Sequence, residues 1–408
     1  MSYNVSANPK QCKVFLLGTS ALVCLALAAP VMADDFVITG SDNSTNGTGT
    51  TNGGTAAAIA DTAINGSDTV SLGIALTTTG TNVGIKTNNN DTEAQSNTVT
   101  VTKTGSITTG TGNNAYGIFN DGAYNTTTVS GSITTAGFFA NGIRNDGNYN
   151  KTTLSGSITT SNDTYAYGIY NLGDSNTTTV SGSITTGTGN SAHGIINIGS
   201  NNTTTVSGSI ATTGSGAVGI NNQGSNNTTT VSGSIKTTGD DGYGIAIYNS
   251  SNTTTVSGSI VTTGSAAHGI VHAGDPSPNT TTISGTVKAT GASSAALSNF
   301  SGSGNSFTLD EGAIIIGDII AAEYGAFSIG ITNSKLIFNL GASTSYAYSV
   351  SGKGEGTGAG QWDFSDLDGR TQVVSTLTGA NASVCDTTIT GAGNDTCNLV
   401  TAVGAANA

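Results

Sequence analysis

The sequence predicts an all-β fold, a right-handed parallel β-helix (β-solenoid) of about 25-residue coils. Three observations carry this: a strict internal period, a two-residue alternation inside each repeat, and a composition poor in helix-surface residues. The motif Gly-Ser-Ile places its isoleucine at Ile107, Ile133, Ile158, Ile184, Ile210, Ile235 and Ile260, and Gly285-Thr286-Val287 continues the series, at spacings of 26, 25, 26, 26, 25, 25 and 27 residues. A second motif, Gly-Ile, follows ten or eleven residues after each, at Ile118, Ile143, Ile169, Ile195, Ile220, Ile245 and Ile270. Each repeat is therefore expected to carry two apolar strands. Of 408 residues 59 are Gly, four are Pro and only 9% are charged. So few Lys, Arg and Glu leave little material for the polar faces of amphipathic helices.

The first strand of each repeat reads Asn-Thr-Thr-Thr-Val-Ser-Gly-Ser-Ile, intact at 176–184 and 202–210. With Val180 and Ile184 inward, Thr178 and Gly182 also point inward, and Thr177, Thr179, Ser181 and Ser183 face solvent. One unit of this length cannot bury its apolar face alone, so units stack, each strand bonding to its copy one repeat later. Asn125, Asn150, Asn176, Asn202, Asn227, Asn252 and Asn279 stand just before these strands, and a second series at 120, 145, 171, 197 and 222 follows the Gly-Ile strands. Asn tolerates positive φ at a corner, and its amide can bond to the Asn above and below; both series are expected to be structural ladders.

A degenerate upstream copy, Thr69-Val70-Ser71-Leu72-Gly73-Ile74 with Gly84-Ile85, opens the array, and a polar insertion from Asn88 to Ser96 separates it from the next coil. After about residue 290 the strict form is lost. Phe307-Thr308-Leu309, the run from Ala313 to Ile320, Lys335 to Leu340 and the segment around Trp362 still read as strands. The expected organisation is a signal peptide over 1–33, a polar segment or cap over 34–68, regular coils over 69–290, irregular coils or a cap over 291–378, and a tail over 379–408.

The signal peptide rests on Lys10 and Lys13, the apolar run from Val14 to Val31, and Val31-Met32-Ala33 before Asp34. Small side chains at minus three and minus one suit cleavage after Ala33. Gly18, Thr19 and Ser20 interrupt the run and argue against a retained anchor, and Val23 argues against a lipoprotein at Cys24. Loss of this segment leaves Cys385 and Cys397, twelve positions apart, expected to form a disulfide closing a C-terminal loop in an oxidising compartment. The net charge of −13 becomes −15 without Lys10 and Lys13. Such a surface repels phosphate and argues against nucleic acid as a partner.

The signal peptide, the Thr/Asn/Gly-rich array and the segment Leu309-Asp310-Glu311-Gly312-Ala313-Ile314-Ile315-Ile316-Gly317-Asp318-Ile319 together resemble the passenger domains of Gram-negative autotransporters (type V secretion). The resemblance implies export, passage through an outer-membrane translocator barrel, and display at the cell surface or release. It departs from the family in stopping at Ala408 without the C-terminal barrel of amphipathic strands. A truncated or split reading frame, or a module that works alone or with a separate translocator, is expected.

Little in the sequence points to chemistry, and no enzyme activity, metal or cofactor is expected. Asp240-Asp241 and Asp310-Glu311 read as solvated turn charges. His193 and His268 fall at one equivalent position three coils apart, and His272 has no evident third ligand for a metal. Trp362 reads as part of a cap's core. The acidic nonapeptide of calcium-binding β-rolls does not recur, and the Asn-x-Thr triplets fall where the ladder already requires Asn. The expected function is adhesin-like, a non-catalytic interaction with a host-cell, glycan or matrix surface. A second reading takes the outward pairs Thr177 and Thr179, Thr203 and Thr205, Thr228 and Thr230, and Thr253 and Thr255 as a lattice of hydroxyls and methyls resembling ice-binding β-solenoids. A polysaccharide-processing β-helix is a third, and would require a carboxylate cluster including Asp310 or Glu311.

Overall fold

The structure, a computed structural model, describes residues 69–88, 93, 96–273 and 278–321, with the further strands Asp35–Ile38, Ser334–Asn339, Ser345–Ala347, Ser349–Ser351, Trp362–Ser365, Gln372–Ser375 and Leu399–Ala402. The expected signal peptide and the pair Cys385 and Cys397 lie outside the described residues. The chain winds as a β-solenoid of about nine turns, about 26 residues each, with three parallel sheets around one core.

Each coil contributes three strands, not the two read from the sequence. The nine-residue Asn-Thr-Thr-Thr-Val-Ser-Gly-Ser-Ile segment bends at Ser-Gly, so that Thr177–Val180 joins one sheet and Ser183–Thr185 another, while Ile195–Asn197 supplies the third. The bend escapes an alternation argument because it leaves Val180 and Ile184 both inward and fully buried. The Thr-rich sheet has 13 strands, the Gly-Ile sheet 11 and the Ser-Ile sheet 10. Register is kept residue for residue: Thr177 lies beside Thr203, Thr203 beside Thr228 and Thr228 beside Thr253.

Three stacked columns make the apolar core. Val180, Val206 and Val231 come from the Thr-rich sheet, Ile184, Ile210 and Ile235 from the Ser-Ile sheet, and Ile195, Ile220 and Ile245 from the Gly-Ile sheet, all buried. Polar columns share this interior. Asn120, Asn145, Asn171, Asn197 and Asn222 are fully buried, and each of the first four donates through Nδ2 to the Oδ1 of the next at 2.6 to 2.8 Å. Each also donates to a Thr hydroxyl seven residues on, from Thr127 to Thr229. Burial strengthens such a network because its alternative is unsatisfied amides in a low-dielectric core.

The Asn125 series is buried too, but makes the expected amide-to-amide bond only at its ends, from Asn97 to Asn125 and from Asn252 to Asn279, both at 3.1 Å. Its Oδ1 atoms accept the main-chain N–H of the equivalent Asn one coil earlier, as from Asn150 to Asn176 and Asn176 to Asn202, both at 2.7 Å. Positive φ falls on the residue before: Tyr124, Tyr149, Ser175, Asn201, Asn226 and Ser251 have φ between 58° and 62°. The left-handed residue turns the chain, and the Asn that follows keeps a negative φ and spends its side chain on the neighbouring coil.

At the upstream end, Thr69–Leu72 pairs with Thr98–Val101 and Ala75–Thr77 with Ser106–Thr108, placing the degenerate copy in the same sheets. Downstream, Ser306–Asp310, Ser334–Asn339 and Trp362–Ser365 extend the Thr-rich sheet. The run from Ala313 to Ile320 is two strands: Gly317, with φ of 117°, divides Ile314–Ile316 of the Ser-Ile sheet from Asp318–Ala321 of the Gly-Ile sheet. Ser345–Ala347, Gln372–Ser375 and Leu399–Ala402 form a small antiparallel sheet of their own.

Candidate functional site: two lattice faces and the buried histidines

On the Thr-rich sheet, alternation sends the middle Thr of each Thr-Thr-Thr triplet inward and the outer two to the surface. Thr178, Thr204, Thr229 and Thr254 are buried, whereas Thr177, Thr203, Thr228, Thr253 and Thr255 are exposed and Thr179, Thr205 and Thr230 partly exposed. In-register pairing aligns them in two columns, with Thr126 and Thr128 below and Thr280 and Thr282 above. Rows repeat at about 4.8 Å across the strands, and the two hydroxyls of a pair stand about 7 Å apart along them. Lys151 takes one place in the outer column.

Beside this lattice, the bend between the Thr-rich and Ser-Ile sheets forms a groove of about 720 Å³, lined by Ser130, Ser132, Ser155, Ser157, Ser181 and Ser183 with glycines between them. A Cβ on Gly182 would overlap the carbonyl oxygen of Gly156, and one on Gly208 that of Gly182, so close stacking of the bends demands glycine. Serine and glycine thus make most of the lining, with Lys103 and Thr104 beside them. Ser155 and Ser130 hydroxyls lie 3.1 Å apart across adjacent coils.

All three histidines are buried, and the Nδ1 of His272 has no hydrogen-bond partner. His193 Nδ1 accepts the Val218 N–H at 3.0 Å and its ring stacks on Tyr167 at 5.3 Å. His268 Nδ1 accepts the Ala295 N–H at 3.0 Å. His272 sits inside, where the Asn ladder would run, its Nε2 2.8 Å from the Thr281 hydroxyl and its ring stacked on Phe307 at 4.3 Å. Burial pushes all three below the usual imidazole range, His193 to about 4 and His272 to about 3. His268 and His272 thus belong to different hydrogen-bonding neighbourhoods despite their closeness in sequence. Among the described residues no group of three His, Cys, Asp or Glu is placed to hold a metal ion.

The acidic pairs lie far apart in the fold. Asp240 and Asp241 are exposed in the turn before the Gly-Ile strand, where Asp240 Oδ1 accepts the Ser265 N–H at 2.8 Å. Asp310 ends the strand Ser306–Asp310, and Glu311 is exposed just beyond it. Compared with protein-family models, curated proteins and solved structures, the chain matches none.

Proposed function

We propose that this protein is an exported, adhesin-like β-solenoid, displayed or released as an autotransporter passenger is, that binds a host-cell, glycan or matrix surface without catalysis. The observation that carries this reading is the outward Thr lattice, repeated in register from Thr126 to Thr282. Short β-branched side chains on a paired strand lose little freedom when a second surface docks on them. Repetition also multiplies a weak contact, since each further row binds at the effective concentration set by the first. The test is adhesion of beads coated with the full chain to epithelial cells, collagen and fibronectin. Retention should fall about tenfold or more when Thr177, Thr203 and Thr228 become Lys, a residue that Lys151 already places in that column. No retention of the unsubstituted chain on any of these surfaces would sink the reading.

The spacing of the Thr pairs also favours a second reading, binding to a crystalline lattice such as ice. It expects thermal hysteresis and faceted ice crystals from the full chain, both abolished by the same three substitutions.

A further inference from the structure

Four aromatic residues occupy turn positions that other coils fill with small side chains. In the turn before the Gly-Ile sheet the left-handed place is held by Phe139 (φ 56°) and Tyr165 (φ 59°), whereas the next coils put Ser191, Gly216, Asp241 and Ala266 there. In the turn after that sheet, Tyr124 (φ 62°) and Tyr149 (φ 58°) precede Ser175, Asn201 and Asn226. A bulky side chain at positive φ is strained, and the later coils prove that the turn closes without one. The rings nevertheless stay partly in water: Tyr165 is 37% and Tyr149 52% exposed, Phe139 and Tyr124 are half-buried, and the neighbouring Phe138 is 41% exposed. Water-exposed rings at positions where the fold asks for no aromatic point to a use for them.

These rings form two ridges. Phe138, Phe139 and Tyr165 pack edge-on and tilted with centroids 5.0 to 5.9 Å apart, and Tyr124 and Tyr149 stack at 4.9 Å and 14°. Between the two turns run the strands Ile118–Asp121, Ile143–Asn145 and Ile169–Asn171, each only three or four residues long. Their isoleucines face the core, and their outward positions carry Phe119, Arg144 and Tyr170 side by side. The Arg144 guanidinium lies 5.1 to 5.4 Å from the rings of Tyr116, Phe119 and Tyr170. Its Nε and Nη2 donate to the two Asp146 carboxylate oxygens at 2.6 and 2.8 Å, and Nη1 donates to the Tyr116 hydroxyl at 2.6 Å. Lys86 faces Asp121 in the same way at 3.3 Å.

We propose that this strip is a carbohydrate-binding site for a neutral oligosaccharide. Aromatic faces are electron-rich and meet the slightly positive C–H faces of a sugar ring, and the fixed Arg144–Asp146 pair offers acceptors and donors to sugar hydroxyls. Lys86 and Arg144 both face carboxylates and the chain carries a net −13, so the strip favours a neutral glycan over an acidic one. The inference rests on the surface-binding reading above and places it on a second face, which meets the Thr lattice at the turn that carries Tyr124 and Tyr149.

The test is titration calorimetry of the full chain with maltohexaose, cellohexaose and chitohexaose, with sialyllactose as the acidic control. The double variant Tyr149→Asn, Tyr165→Ser copies side chains that the later coils carry, so its circular dichroism and melting temperature should be retained. At least one neutral hexasaccharide should bind the unsubstituted chain, and bind the variant about tenfold or more weakly. No neutral binding, equal binding to the folded variant, or tighter binding of sialyllactose would overturn the site. Bead adhesion separates the two readings. Adhesion that the double variant keeps while calorimetry shows no sugar binding removes the site and leaves the adhesin. Sugar binding lost in the variant, without bead adhesion, leaves the site and removes the adhesin.

Discussion

A single apolar residue interrupts the polar interior. Ile247 stands where Asn222 and then His272 stand in the neighbouring coils, so the ladder ends at Asn222 and the hydroxyl of Thr254, seven residues after Ile247, is buried with no hydrogen-bond partner. An unsatisfied buried hydroxyl costs about 1–3 kcal/mol. Thr254→Val should therefore stabilise the protein by about 1 kcal/mol, whereas Thr229→Val, which strips Asn222 of its acceptor, should destabilise it by about 1–2 kcal/mol. Thermal melts of the two variants check this, and equal shifts would refute it. His272 makes a second residue-scale prediction. Its pKa near 3, and that of His193 near 4, lie below the 6.5 of an unfolded histidine. Below pH 6.5 the unfolded chain binds protons that the folded chain refuses, so stability is whole above 6.5 and falls as pH drops toward 4 and then 3. The slope is about 1.4 kcal/mol per pH unit for each histidine. His272→Asn removes one of these groups, and its melting temperature should decline less steeply between pH 6.5 and 4 than that of the unsubstituted protein.

At the scale of the element, the Ser-Gly bend decides how many sheets there are. The glycine is not there for conformational freedom; its missing Cβ lets one coil's bend rest on the carbonyl of the coil before. Gly208→Ala should lower stability by about 3 kcal/mol or more, because a methyl group has to displace main chain held by neighbours on both sides. Gly216, at φ of 64°, is the opposite case: the nearest atom to an added Cβ is the Ser191 hydroxyl at 3.3 Å, and Asn114 already holds the equivalent turn at φ of 58°. Gly216→Asn should leave the melt within about 1 kcal/mol of the original. A large drop for Gly216→Asn and none for Gly208→Ala, measured by denaturant unfolding, would reverse the assignment of corner and turn.

The whole molecule is a one-dimensional stack, and its length is separable from its cross-section. Residues 203–227 span one coil, and their removal joins Asn202 to Thr228, which already lies beside Thr203 in register. Each coil contacts mainly its neighbours, so this deletion should still fold, with an unchanged type of circular-dichroism spectrum and a melting temperature within about 5 °C. Deletion of 203–214 cuts mid-coil, misaligns every later column, and should not fold past the cut. Equal behaviour of the two deletions would show that register does not govern stability.

The sequence by itself determined the period, the parallel in-register stacking, the apolar columns and the outward direction of the Thr pairs. These follow from spacing and alternation, which are local and repeat often enough to average out exceptions. Only the tertiary structure decided that Ser-Gly is a corner, that the left-handed residue precedes the Asn of the turn, and that Asn120 and its equivalents bond inside the core. It alone also assembled Tyr149, Tyr165 and Arg144 into one strip. The physical reason is shared: each depends on atoms one coil away, about 25 residues distant in sequence. Only stacking determines whether a Cβ meets a carbonyl or a ring meets a ring, and whether a ladder of amides runs inside the core.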